Sequence, residues 1–407
     1  MPNISHIGAT IRDKTASPDI LVISGNFLPQ ESEIAEYIYN RCLQDPERVI
    51  VLAASCSGDK VFDKAQQFPV YRWSILRDWR GFVGIIIKQI LNMVCSFLLA
   101  IKLYFRYRYR YIEWGHGYGF PSLLLLSYLL PVRFFIYLDG NDILSILQNP
   151  VWRSLFALTL KRAKGIVCKS SFARDYLTTH FRFDAPTHVI NPAVRPGKFG
   201  VAATPENLDD LRVRVREGYH IPETAVVILS VGSLVKHKGF SRVIDNIPLL
   251  LTIGLDVHYI ICGEGPCEAK LKSLTRRLRV EGRVHFAGDV PDRELASYYA
   301  ACDLFAMLTL FDAKAVSIEG LNIVYLEAGY FSKPVIASDL GGVIDAIRHE
   351  ENGLLVNPNS GYEVFQAFCR LCQDSQLREQ FGRQGKELAK RKTLHKMLYK
   401  TELGVRS

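Results

Sequence analysis

Ser317-Ile318-Glu319-Gly320-Leu321-Asn322-Ile323-Val324-Tyr325-Leu326-Glu327-Ala328 sets two carboxylates, Glu319 and Glu327, on either side of seven residues that open with a glycine and run on mostly apolar. Lys333-Pro334 and the β-rich Val335-Ile336-Ala337 follow, so the run reads as a helix entered from a loop at Gly320 and stopped before a buried strand. Glu319 then stands at the helix mouth, and eight residues of rise put Glu327 about 12 Å further along the axis. The N–H groups of Leu321, Asn322 and Ile323 lack intrahelical acceptors there and point outward with the positive end of the helix. Anions bind at such ends.

Two carboxylates that accept from hydroxyls, with an anion site between them, match a ligand built as sugar, diphosphate and sugar. Around them Asp303-Leu-Phe, Pro334-Val-Ile-Ala, Gly341-Gly342, Asp345-Ala-Ile and Asn352-Gly-Leu-Leu-Val fall in a fixed order. Together these residues resemble the E-x7-E region of the retaining glycosyltransferases of the GT-B fold, the "group 1" or family 4 enzymes, and the segment is most similar to the mannosyltransferases among them. The resemblance implies an α/β fold of two Rossmann-like, doubly wound domains facing a cleft. It implies transfer of a hexose from a nucleoside diphosphate sugar to a glycan or lipid-linked acceptor with retention of anomeric configuration. The donor is then a substrate, with no cofactor and no metal. Glu319 would hold sugar hydroxyls and Glu327 the ribose.

The pattern along the chain agrees with that architecture. Asp19 to Ser24, Val49 to Ala54, Phe68 to Trp73, Tyr111 to Trp114, Phe134 to Leu138, Gly165 to Cys168 and His188 to Ile190 read as short apolar strands, with helices between them at Glu31 to Leu43 and Arg80 to Phe105. Strands alternating with helices indicate a parallel, doubly wound sheet. A second series runs through Val226 to Val231, Val257 to Cys262, Val284 to Ala287, Leu304 to Met307, Val335 to Ala337 and Leu354 to Val356. Between them, Pro196, Gly197, Pro205 and a charged helix at Asp209 to Glu217 mark a junction. The expected division is a loose tail at 1–18, an acceptor domain at 19–196, a linker at 197–222, a nucleotide-sugar domain at 223–385, and a final helix at 386–407 that in the resembling family crosses back to the first domain. Ligands in such sheets lie beyond the carboxyl ends of the strands.

Those ends carry the remaining candidates. Val231-Gly232-Ser233-Leu-Val-Lys236-His-Lys238-Gly239 matches the family's first glycine turn at Gly232, Lys238 and Gly239, while Ser233 replaces its arginine. Lys238 is then the cation for the departing diphosphate, with Lys236 as a partial substitute. Cys262-Gly263-Glu264-Gly265-Pro266 resembles the second glycine turn, where backbone nears the nucleotide, and Val290 falls where relatives flank the base. In the first half, Glu113-Trp-Gly-His116 and Leu138-Asp139-Gly140-Asn141-Asp142 end successive strands, placing His116 and Asp142 on the acceptor side. Asp139 stands where the family has a histidine that contacts the transferred sugar. The family's glycine pair after the first strand is also missing at Pro29 to Glu33. These departures keep a second reading open: a degenerate member that binds a sugar nucleotide, or a protein partner, without transfer.

Composition narrows the setting. The chain has 407 residues, a net charge of +9 and 48% hydrophobic residues, which suits a two-domain globular protein with anionic partners. Nine cysteines without framework spacing favour a reducing, cytoplasmic compartment, and Cys369-Arg-Leu-Cys372 reads as structural. No D-x-D element and no His/Cys cluster at ligand spacing points to a metal. Nothing beyond charge supports nucleic-acid binding, and a nicotinamide site lacks its glycine fingerprint. Phe82 to Phe105 is interrupted by Lys88, Gln89, Asn92 and Lys102, and its longest uncharged run falls short of the roughly 18 to 20 residues that span a bilayer. A buried or interfacial helix is expected there. Arg106-Tyr-Arg-Tyr-Arg-Tyr111 reads either as a solvated edge or as a patch meeting anionic headgroups, which would put the protein at the inner face of the membrane.

Overall fold

The structure is a computed structural model that describes residues 18–74, 82–200, 207–310 and 321–391, with the backbone alone for 82–89. The expected tail at 1–18 and the end of the helix at 386–407 lie almost wholly or largely outside these residues. Seven strands form the first sheet: β1 (Ile20–Ser24), β2 (Val49–Ala54), β3 (Val70–Trp73), β4 (Tyr111–Trp114), β5 (Arg133–Leu138), β6 (Gly165–Cys168) and β7 (Thr187–Val189). Their order is β3-β2-β1-β4-β5-β6-β7. The second sheet holds β8 (Val226–Val231), β9 (Val257–Cys262), β10 (Val284–Gly288), β11 (Leu304–Met307), β12 (Val335–Ser338) and β13 (Gly353–Val356), in the order β10-β9-β8-β11-β12-β13. Register is parallel, as in Ile20↔Val49 and Val226↔Val257. Both sheets are therefore doubly wound, and each reverses direction beside its first strand.

Helices cover the sheets. In the first half they are α1 (Glu33–Leu43), α2 (Asp59–Lys64), α3 (Phe82–Tyr107), α4 (Phe120–Leu129), α5 (Asn141–Leu147), α6 (Pro150–Arg162) and α7 (Ser171–His180). In the second they are α8 (Leu208–Gly218), α9 (Phe240–Thr252), α10 (Glu268–Arg277), α11 (Asp292–Ala301), α12 (Ile323–Tyr330), α13 (Gly361–Gln373) and α14 (Ser375–Arg391). Parallel strands buried on both faces are largely apolar, and all six residues of β2 and of β9 are buried. Ile228, Tyr259, Ile261 and Ile336 pack on one face of the second sheet; Val227, Leu229, Ile260 and Phe305 pack on the other.

Packing divides the chain into two compact units, Met1–Gly115 with Gly119–Phe135, and His116–Tyr118 with Ile136–Ser407. Within the first, a buried bidentate pair ties α1 to β4: Arg41 donates to both oxygens of Glu113 at 2.8 and 2.5 Å. Within the second, α8 is tied to the strands it covers. Arg216 of α8 is 3% exposed and donates to Asp303 at 2.7 Å, and to the carbonyls of Ala301, Pro222, Glu223 and Ala225.

Several boundaries move for local reasons. Helix α1 begins at Glu33, because Ser32 caps it by accepting from the Ala35 N–H at 3.2 Å. The third strand starts at Val70, after Pro69, whose carbonyl already accepts from Val51. Cys369 and Cys372 lie on α13 as free thiols. Helix α3 is not a core helix: only 17% of its apolar window Ile90–Tyr107 is buried. By length and composition alone that window could cross a membrane.

Candidate functional site

Glu319 and Gly320 lie outside the described residues. The chain resumes at Leu321 and Asn322, both buried, and α12 starts at Ile323 with Asn322 as its N-cap. The first free N–H groups of this helix are therefore set by Asn322, two residues beyond Gly320. Lys238 reaches the same point from the turn Lys236–Lys238 that follows β8, and its Nζ donates to Asn322 Oδ1 at 2.9 Å. The route of that turn is fixed by Gly239. Its φ is +71°, and a β-carbon on it would sit 1.7 Å from the Leu308 carbonyl oxygen, so only glycine lets the turn lie on the end of β11. The Leu310 N–H closes the contact by donating to His237 O at 2.6 Å.

The neighbouring turns line up beside this point. Gly232 donates its N–H to Cys262 O at 2.9 Å, and Gly263 donates to Gly288 O at 2.7 Å, which stacks the carboxyl ends of β8, β9 and β10 in register. Ser233 and Glu264 are exposed on those turns, whereas Val290 is half-buried against the core of the second sheet. Gly342, in the turn Gly341–Asp345, lies so close to Leu321 that a β-carbon would come within 2.7 Å of its nitrogen and 2.8 Å of Ser170 Cβ. Asp345 in turn accepts from the Ser171 N–H and hydroxyl at 2.5 and 2.6 Å and from Asn191 at 3.1 Å. The segment after β6 is thereby held against the mouth of α12.

Glu327 sits one turn inside α12 and is 0% exposed. Both of its oxygens are engaged: Oε1 accepts from Lys198 Nζ at 2.6 Å and Oε2 from the Tyr299 hydroxyl at 2.9 Å. Lys198 also pairs with Asp292 at 3.1 Å. Burial, followed by the charge of Glu327, pushes the Tyr299 hydroxyl well above the usual range, which keeps it a donor. Lys198 was not singled out by the sequence, since it lies in the stretch read as a linker, in the turn Pro196–Phe199.

The first-sheet candidates form a second cluster. Asp142 is 2% exposed and accepts from the N–H groups of Gly117 at 2.8 Å, Ile143 at 2.8 Å and Asp139 at 3.1 Å. Its carboxylate thus braces the loop after β5 against the loop after β4. Burial and the charge of Asp139 push it up to about 6, while the Asp139 and Gly117 amides pull it down. Asp139 faces the nearly buried Lys169 at 3.6 Å and is itself 28% exposed. Burial is the first cause, and Lys169 a further one, that lowers His116 to about 4, so its imidazole is neutral at neutral pH. Lys169, one residue past β6, is the group here that sequence reading passed over. Asp139, Asp142 and His116 are thus grouped around it, and Lys238 meets Asn322 at the helix mouth, while Ser233 and Glu264 stay on the exposed turns.

Residues 212–388 match the family described as "Glycosyl transferases group 1". A GDP-mannose-dependent alpha-(1-6)-phosphatidylinositol monomannoside mannosyltransferase of Mycobacterium tuberculosis is 30% identical over 238 residues, 58% of this chain and 60% of that protein. The chain therefore spans less than two thirds of that relative. The GDP-mannose-dependent monoacylated alpha-(1-6)-phosphatidylinositol monomannoside mannosyltransferase of Corynebacterium glutamicum is 25% identical over 381 residues, 91% of this chain and 93% of that one. Among solved structures, Anabaena HepE in complex with UDP and glucose superposes with a TM-score of 0.70 at 19% identity, over 92% of this chain and 95% of that one. Sucrose-phosphate synthase from Thermosynechococcus elongatus gives 0.74 at 16%, over 95% and 97%. At such identities these two likenesses concern the fold.

Proposed function

The chain has the GT-B fold and its residues 212–388 belong to the group 1 glycosyl transferases, and on that premise we propose that it transfers a hexose from a nucleoside diphosphate sugar to a lipid-linked or glycan acceptor, with retention at the anomeric carbon. The observation that carries the proposal is the contact of Lys238 with Asn322 at the N-cap of α12. A fixed cation and the positive end of a helix converge on one point, which is where a diphosphate gains charge as it leaves. In the proposed reaction the bond from the anomeric carbon to the diphosphate breaks, the acceptor oxygen adds on the same face, and the acceptor proton passes to the departing phosphate.

The proposed roles follow the motifs that resemble the family's. Lys238, Leu321, Asn322 and Ile323 meet the diphosphate; Gly232, Ser233, Gly263, Glu264 and Val290 border the nucleotide; Glu319 and Gly320 complete the sugar side. Glu327 is assigned to the ribose through a carboxylate oriented by Lys198 and Tyr299. Asp139 faces the transferred sugar, with His116 and Asp142 shaping the acceptor side. No cofactor or metal enters the proposal. The names of the relatives support a mannosyl donor and a glycolipid acceptor, and hence a place at the cytoplasmic face of a membrane.

Calorimetric titration with GDP, UDP and their sugars tests this, with Lys238→Ala alongside. One nucleotide binding the wild type, and binding the variant about tenfold more weakly, supports it; a folded protein that binds none of the panel sinks it. Proton NMR of the product glycoside then reads the anomeric outcome. A second reading, binding without transfer, is favoured by the Asp139–Lys169 pair, which engages the carboxylate standing where the family has histidine. Tight nucleotide-sugar binding without turnover over a panel of polyprenyl, inositol-lipid and oligosaccharide acceptors would select it.

A further inference from the structure

Helix α3 has an outer face that its own fold leaves open. Ser96, Ala100 and Leu103 are buried as α3 packs on β2, β3 and α4, and the Tyr109 hydroxyl donates to Ala100 O at 2.9 Å. At 100° per residue, Ile90, Val94, Leu98 and Phe105 fall within one narrow stripe of the opposite side, and they are 50%, 44%, 57% and 64% exposed. Helix α4 widens the stripe. Ser122 donates to Met93 O at 3.2 Å, fixing which side of α4 meets α3, and Leu125 and Leu129, three and seven residues on, share that side and are about half exposed.

Charge borders this apolar strip. Lys102 and Arg106 lie on its flank, and Arg108 and Arg110 follow at the end of the helix, all exposed. Arg106 lies over the rings of Tyr71 and Tyr107, and Arg108 over Tyr104 and Phe105, at 5.3 to 5.8 Å. From Trp79 to Leu138 the chain has seven Lys and Arg residues and a single acid, Glu113, which is buried against Arg41.

We propose that this α3–α4 face is a docking surface for an anionic lipid bilayer, with the Ile90–Phe105 stripe entering the headgroup boundary and the cations of its flank meeting lipid phosphates. Partial burial of an amphipathic face beside a basic rim is how helices lie in an interface. A spanning helix would uncover Ser96, Ala100 and Leu103 and carry Lys102 and Arg106 into the hydrocarbon. A second copy of the chain would set two basic rims against each other, which like-charge repulsion opposes. Docking on lipid is independent of the transfer reaction.

Sedimentation of the full chain with phosphatidylglycerol–phosphatidylcholine vesicles, against vesicles of phosphatidylcholine alone, tests the proposal. The anionic vesicles should bind at least about tenfold more tightly, and release the protein in high salt. Leu98→Ser with Phe105→Ser should weaken binding about tenfold, and Lys102→Gln with Arg106→Gln should remove the preference for anionic lipid. These side chains are exposed, so thermal melts of both variants should match the wild type. Failure to bind anionic vesicles, binding indifferent to either pair, retention through alkaline extraction, or a dimer that the Leu98/Phe105 pair dissolves would each overturn it.

Discussion

Lys198 Nζ lies 2.6 Å from Glu327 Oε1, the lysine 7% exposed and the glutamate not at all. A carboxylate taken wholly out of water is tolerated only with such a partner, so the lysine of the turn after β7 is what allows α12 to carry Glu327 inside the second sheet's core. Tyr299 completes the pairing from α11. The ribose role of Glu327 therefore requires that a nucleotide either share these partners or displace one.

Lys198→Met should strand that carboxylate and cost about 3–5 kcal/mol of stability, read as a lowered urea midpoint. Glu327→Gln in the same chain should restore more than half of the loss, because the uncompensated charge is then gone. Additive losses in the double variant would mean that the two residues do not act on one another.

Gly342→Ala probes the other side of the helix mouth. The new methyl group would have to share space with the Leu321 nitrogen at 2.7 Å and Ser170 Cβ at 2.8 Å. Backbone cannot step aside as a side-chain end can, so the turn Gly341–Asp345 must shift, at about 1–3 kcal/mol. The melting temperature should fall, and nucleotide affinity with it; a variant indistinguishable from the wild type in both would show that the turn is not held against Leu321.

Lys238→Ala should separate binding from folding. The lysine is half-buried and donates to Oδ1 of the buried Asn322, so its loss should cost about 1–3 kcal/mol of stability and leave the chain folded. Binding of the preferred nucleoside diphosphate should weaken about tenfold and lose part of its salt dependence. Unchanged affinity would remove Lys238 from the diphosphate site.

What the sequence disclosed and what it hid have a common cause. Strands such as Val49–Ala54 are buried on both faces and apolar throughout, so a run of such residues announces itself. Gly239 and Gly342 were legible for a similar reason, since a close backbone approach admits no other residue. Lys198 and Lys169 were not. Each is a lysine in a short stretch between elements, and its meaning lies in a carboxylate elsewhere in the chain: 129 residues away for Lys198 and Glu327, and in the loop after the preceding strand for Lys169 and Asp139. The open face of α3 was half legible: composition showed an apolar helix with charges in it, but only packing shows which side the sheet covers.

A pair of histidines at the amino ends of β9 and β10 gives the pH dependence. Arg283 can only donate, so His258 Nε2 accepts from it at 2.6 Å, and His258 Nδ1–H then donates to His285 Nε2 at 2.9 Å. Both rings are neutral in this arrangement. Burial, then His258 and Arg283, hold His285 down to about 4 from its ordinary 6.5, and burial and Arg283 also lower His258, against the opposing charge of Asp256. Tyr219 lies over His285 at 5.0 Å. A depressed histidine favours the fold only while neutral, so its contribution is complete above 6.5 and is lost as pH falls from there toward 4. The urea midpoint of the wild type should therefore drop more between about pH 7 and pH 4.5 than that of His285→Gln, whose amide accepts the same hydrogen bond without titrating. Carboxylate effects are shared by both proteins and cancel in the comparison. Parallel pH profiles would show that protons enter the fold elsewhere.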